Sequence, residues 1–210
     1  VTAACRVLVL GVGNLLWADE GFGVRCVEEF ARSWAVPAGV ELMDGGTQGL
    51  YLLQHVADAD RVLLFDAVDF GAPAGTLVVV RDAAVPSFIA TGKMSLHQAG
   101  VAEVLACAEM LAGRKPVALT VIGAQPLELE DYGGSLTPPL RALVPRAVAL
   151  AADELGLWGI ALVPRGADAP GLLVPALAID AYEQGRPSAD AACRHGDARV
   201  LASSRDRSAG

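Results

Sequence analysis

Hydrophobic positions along the chain fall into short solid runs separated by amphipathic stretches. Val7–Leu10 is one such run, and the glycine-rich turn Gly11 to Gly23 (GVGNLLWADEGFG) follows it. This pattern predicts a strand, a turn and then a helix over roughly residues 21–35, with Val24, Val27, Ala31 and Trp34 on one face and Asp19 as its N-cap. Pro37 and Gly39 end that helix. Val40–Met43 reads as a second strand closing on Asp44-Gly45-Gly46-Thr47, and a short helix carrying Leu50, Leu53 and Val56 comes next. Arg61–Phe65 is a third strand ending on Asp66, and Thr76–Val80 a fourth. The link between them, Asp69 followed by FGAPAG, is too short for a crossover helix, so the fourth strand is expected antiparallel to the third.

The segment from Arg81 to Gly92 reads as irregular. Ser95-Leu96-His97-Gln98 matches a capping box, opening a helix with Val101, Val104, Leu105, Ala108 and Leu111 inward that stops near Gly113. Ala118–Ile122 is a fifth strand. Thr137-Pro138-Pro139 opens a last helix running toward Gly156, with Pro145 either kinking it or marking its true beginning. The alternation predicts an α/β fold: a three-layer α/β/α sandwich around a five-stranded, mostly parallel sheet with one antiparallel strand. Residues 1–164 form the expected domain. Residues 165–210 form an extension, with Leu172–Tyr182 apolar enough to dock and 197–210 expected to be disordered.

Charge narrows the possible partners. Residues 1–164 hold 10 Lys/Arg against 18 Asp/Glu, and residues 165–210 hold 6 against 6. An acidic folded part argues against nucleic acid. No apolar run is long enough to cross a bilayer, and the first twenty residues show no signal-peptide pattern. Cys5, Cys26, Cys107 and Cys193 are scattered with no CxxC pair, as expected for free thiols in a reducing cytosol.

Ligands of such folds gather at the carboxyl ends of the strands, where Glu20, Asp44 and Asp66 all fall. Asp19 and Glu20 would repel a phosphate at the helix entrance and suit a cation, although acidic first-turn residues also simply complement a helix dipole. Asp66 ends a buried strand, where a carboxylate is costly unless paired or bound to a cation; an Asx turn is the alternative. His97 opens a helix whose N-terminus should keep the imidazole neutral, the form a metal ligand needs. Glu, Asp and His together suit nickel, zinc or a similar divalent ion. Gly11-x-Gly13 with Asp44 partly resembles a dinucleotide site, but Leu16 stands at the third glycine position. Ser95 is explained by capping, and His55 and His195 are expected at the surface.

GVGNLLWADEGFGV, LMDGGTQG, LLFDAVDFG and KMSLHQAG, in this order and spacing, resemble the maturation endopeptidases of [NiFe] hydrogenases from about Arg6 to Pro164, with GAQP and GGSLTPP adding to the likeness. The resemblance implies a phosphorylase/hydrolase-like fold and a cytoplasmic, monomeric enzyme. It implies removal of a C-terminal peptide from the hydrogenase large-subunit precursor after nickel insertion. It also implies nickel contacts at Glu20, Asp66 and His97, with Asp44 a lesser candidate, and nickel supplied by the precursor rather than held as a resident cofactor. A non-catalytic chaperone binding nickel or the precursor through the same ligands is the rival expectation.

Overall fold

A computed structural model describes residues 5–91, 96–166 and 169–186, without the side chains of residues 90, 91 and 96–102. Five strands make the main sheet: β1 (Val7–Val12), β3 (Val40–Gly46), β4 (Arg61–Ala67), β5 (Leu77–Arg81) and β6 (Ala118–Ala124). A two-residue β2 (Trp34–Ala35) pairs antiparallel with β7 (Val163–Pro164) in a separate ribbon. The helices are α1 (Phe22–Ser33), α2 (Leu53–Asp58), α3 (Val85–Thr91), α4 (Leu96–Ala112), α5 (Pro138–Leu157) and α6 (Ile179–Gly185). The sheet order is β3-β1-β4-β6-β5, with every pair parallel except β5 with β6.

Strand position explains strand composition. β1 is buried at all six residues, and β4 at all but its first, because helices cover both faces of a central parallel strand. On one face α1 and α5 cover a core of Phe22, Phe30, Phe65, Ile122, Leu140 and Leu155. On the other, α2, α3 and α4 cover Leu8, Leu64, Val121, Val85 and Val104. The inward face of α5 (Leu140, Val144, Ala147, Val148, Ala151, Glu154, Leu155) keeps helical spacing throughout. These are the three layers that the alternation predicts.

Several local expectations are corrected. β5 runs against β4 in direction, but β6 lies between them and takes its hydrogen bonds. The stretch expected to be irregular holds a 3-10 turn, Asp82–Ala84, and α3, which buries Val85 and Ile89. Leu50 is exposed and Leu52 takes its place in the core, because a 3-10 turn over Gly49–Leu52 precedes α2 and shifts the face. Leu111 of α4 is exposed, whereas Val104 and Ala108 are buried as expected. Trp34 leaves the helix and begins β2. The last helix begins at Pro138, not at Pro145. Ser95, Cys193, His195 and residues 197–210 lie outside the described residues.

The extension does dock. Residues 169–186 lie along α1 and α5 as a strap, with Glu28 Oε2 accepting the N–H groups of Leu172 (2.6 Å) and Leu173 (2.8 Å). Arg25 donates to the Leu177 carbonyl and stacks 5.5 Å from the Tyr182 ring centre, while Arg141 pairs with Asp180 and Glu183. Cys5, Cys26 and Cys107 are free thiols. Among the described residues, no helix is long and apolar enough to cross a membrane.

Candidate active site

The carboxyl ends of β1, β3 and β4 lie side by side. Gly11 of β1 stands in register with Asp44 of β3 on one side and Phe65 of β4 on the other, and Asp66 follows Phe65. Glu20 belongs to a 3-10 turn, Ala18–Gly21, that leads from β1 into α1. Two glycines press this turn onto the sheet. A Cβ on Gly13 would fall 1.8 Å from the Glu20 carbonyl oxygen, and one on Gly23 would fall 2.2 Å from the Phe65 carbonyl and 2.3 Å from that of Val12. The glycines therefore bring the Glu20 turn into the same corner as the backbone that presents Asp66.

Strand alternation separates the other carboxylates. Leu63, Phe65 and Ala67 face α1 and α5, while Val62 and Leu64 face the opposite layer, so Asp66 points toward the α4 side of the sheet. Leu42 faces α1, and Asp44, two residues on, shares its side. Asp44 and Asp66 thus occupy one edge but opposite faces. Asp44 Oδ1 closes an Asx turn by accepting the Gly46 N–H at 2.9 Å. Burial raises the Asp44 pKa, the Gly46 hydrogen bond opposes the rise, Glu28 adds to it and Arg25 offsets it.

α4 covers the Asp66 face. Its C-terminal end leads back to the start of β6, which is parallel to β4, so its first turn stands at the carboxyl edge. Seventeen residues of helix span roughly 25 Å, comparable with the strands beneath. His97 lies in that first turn, and its side chain is outside the description. Among the described residues, no three His, Cys, Asp or Glu side chains are grouped so as to hold a metal ion.

The structural roles of two residues at this edge escaped the reading of the sequence, which has Asp19 as an N-cap and Gln125 only as part of GAQP. Asp19 does not cap α1, whose N-cap is Gly21 with no side-chain bond. It is fully buried and turned away, toward the segment 127–137, accepting hydrogen bonds from Leu127, Glu128 and Thr137. Gln125 of the GAQP motif closes the loop after β4. Its Oε1 accepts from Phe70 N–H (2.9 Å) and Ala72 N–H (3.1 Å), and its Nε2 donates to Asp69 (2.9 Å). A polar residue directly after an apolar strand was the available signal for Gln125. Nothing local marks Asp19, because its partners are more than 100 residues away.

The family model for HycI, hydrogenase maturation protease, matches residues 24–154. The hydrogenase expression/formation protein HupD of Rhodobacter capsulatus is 55% identical over 198 residues, covering 94% of each chain. The hydrogenase 2 maturation protease of Escherichia coli K12 is 41% identical over 77% of this chain and 98% of its own. Among solved structures, the hydrogenase maturating endopeptidase HybD from E. coli superposes with a TM-score of 0.71 at 38% identity, covering 76% of this chain and 98% of that one. Matches of this extent and identity show common descent with a peptidase family, and the chain belongs to the hydrogenase maturation proteases.

Proposed function

We propose that this protein is the endopeptidase that removes the C-terminal peptide of a [NiFe]-hydrogenase large-subunit precursor once nickel is in place. Nickel arrives as part of the substrate, and Glu20, Asp66 and His97 are the groups that meet it. The observation that carries this reading is the corner where the glycine-packed Glu20 turn meets the backbone presenting Asp66, on the face covered by α4 with His97 in its first turn. An oxygen/oxygen/nitrogen donor set fits a borderline divalent ion. Such a set does not select nickel by intrinsic affinity, so selectivity rests on the precursor's own metal centre.

In the reaction, a water oxygen adds to the scissile carbonyl carbon, the C–N bond breaks, and the departing amine takes a proton. A rim carboxylate beside the ion can accept the proton of the attacking water. The bound metal of the substrate supplies polarisation of the carbonyl or of that water.

Mass spectrometry of the large subunit tests the proposal. Co-production with the wild-type protein in nickel-replete cells should shorten the large subunit at its C-terminus. Glu20→Gln, Asp66→Asn and His97→Gln should each leave the precursor uncut while remaining folded. An unchanged C-terminal mass with the wild-type protein would favour a non-catalytic chaperone. Normal processing by all three variants would show that the site lies elsewhere.

A further inference from the structure

We infer that Asp19 is a positioning residue for Glu20, an assignment that rests on the proposed role of Glu20 at the rim. The Asp19 side chain is sealed from solvent, at 0% exposure. Its Oδ1 accepts the Thr137 N–H at 2.7 Å. Its Oδ2 accepts the N–H groups of Leu127 (2.9 Å) and Glu128 (3.0 Å) and the Thr137 hydroxyl (2.9 Å). Its own N–H donates to the Glu128 carbonyl at 3.1 Å. One residue therefore ties the turn carrying Glu20 to the loop after β6 and to the start of α5. Gly133 N–H to Leu16 carbonyl (2.6 Å) and the Trp17–Tyr132 ring contact (5.3 Å) run alongside.

Two details show that this junction serves the turn. Ala18, just before Asp19, has φ of +41°, a left-handed conformation that a non-glycine residue keeps only where its surroundings impose it. Thr137 is the N-cap of α5 and makes no side-chain capping bond, and its hydroxyl proton is donated to Asp19. Pro138 and Pro139 at the head of that helix have no N–H to be capped. Among the described residues, the Asp19 partners are amides and a hydroxyl, which solvate its charge without cancelling it. The negative potential next to Glu20 is therefore kept for an incoming cation.

The test uses the full chain and purified nickel-loaded large-subunit precursor, with kcat and KM measured separately. Asp19→Asn keeps the size of the side chain but turns an amide NH2 toward backbone donors. It should lower kcat about 10–100-fold, the effect of misplacing a reacting group by an ångström, while KM stays within about threefold. Hydrogen exchange at Leu127, Glu128 and Thr137 should quicken in the same variant. Thr137→Val removes one donor only and should lower kcat roughly fivefold. Wild-type kcat in both variants, or activity of Asp19→Asn that falls only in proportion to its folded fraction, would overturn the assignment. If Asp19→Asn does not fold, Thr137→Val decides, and an unchanged kcat there overturns it. A wild-type protein that leaves the precursor uncut overturns the proposed function and this assignment with it; wild-type cleavage matched by both variants overturns this assignment alone.

Discussion

Asp19 and Glu154 are both buried carboxylates, one at the rim and one toward the amino ends of the parallel strands, and different partners satisfy them. Glu154, on α5, receives Arg81 through both Nε and Nη2, the shortest contact being 2.7 Å, and the Thr120 hydroxyl at 2.9 Å. A guanidinium there cancels the charge that burial would otherwise make costly. Asp19 has three amides and a hydroxyl in the same role, and no cation hydrogen-bonds to it among the described residues. Neutralised charge holds a fold together and attracts nothing further. Charge solvated by dipoles holds chain segments in place and still leaves a field. On this reading, variants at the Glu154 end should alter stability and spare turnover, and variants at the rim should do the reverse unless they disturb the backbone.

The largest effect is expected where the rim is built from backbone. Gly23→Ala sets a Cβ against two carbonyl oxygens that cannot move without shifting β1 and β4. Stability should fall by about 3 kcal/mol, and processing should fall with it. Gly156→Ala in α5, where an added Cβ meets nothing, should stabilise by about 0.5–1 kcal/mol and serves as the control. Urea midpoints measure both. A wild-type midpoint for Gly23→Ala would mean that the Glu20 corner is loosely packed and that Glu20 and Asp66 do not share a place.

Glu154→Ala is next. It leaves the Thr120 hydroxyl buried without its acceptor, while Arg81, with about half its side chain exposed, can turn to water. A loss of about 1–2 kcal/mol with unchanged kcat on the precursor is expected. Burial raises the Glu154 pKa, but the Arg81 and Thr120 hydrogen bonds outweigh it and hold the value below the ordinary 4.5. The lowered value means that this stabilisation is complete above the unfolded-state pKa and disappears as pH falls through the folded one. The gap in urea midpoint between wild type and Glu154→Gln should therefore be full at pH 7 and narrow below about pH 4.5. A gap that widens on acidification would contradict the neutralised-pair picture.

The sequence was most legible where burial is uniform. The predicted β1, β4 and β6 differ from the observed strands by about two residues at their ends, because a strand covered on both faces is a near-continuous apolar run. The carboxyl edge was legible for the same reason: an acidic residue closing an apolar run lies within two residues of the strand end, with β3 running on from Asp44 to Gly46 and β4 from Asp66 to Ala67. What escaped was set by distant partners. α3 carries Pro86 and only seven residues, too few for a periodic face, and it forms because Val85 and Ile89 find a core. The opposite facings of Asp44 and Asp66 follow from alternation once the strand bounds are known. The role of Asp19 depends on a loop 108–118 residues away, which no local pattern encodes.

The strap shows the same contrast at its smallest, because a buried carboxylate and an exposed ion pair both anchor it. Glu28 holds it as Asp19 holds the rim, through the two amides of Leu172 and Leu173 in a nearly closed site. At Gly171 an added Cβ would lie 1.8 Å from Glu28 Oε1, so a side chain there would displace the Glu28 carboxylate. Arg141 of α5, an exposed cation, holds it through the strap's own Asp180 and Glu183. Exposed ion pairs contribute about 0–1 kcal/mol, whereas removing a buried acceptor strands two amide donors at about 1–3 kcal/mol. Arg141→Ala should therefore leave the urea midpoint nearly unchanged and raise amide exchange only modestly over residues 179–186. Glu28→Ala should raise exchange more, and over Leu172 and Leu173 first. Freeing the strap should leave the sheet folded, because it lies on α1 and α5 and adds no strand to the sheet. If Arg141→Ala loosened the strap more than Glu28→Ala, surface charge rather than buried amide solvation would be what holds it, and the distinction drawn between Asp19 and Glu154 would lose its generality.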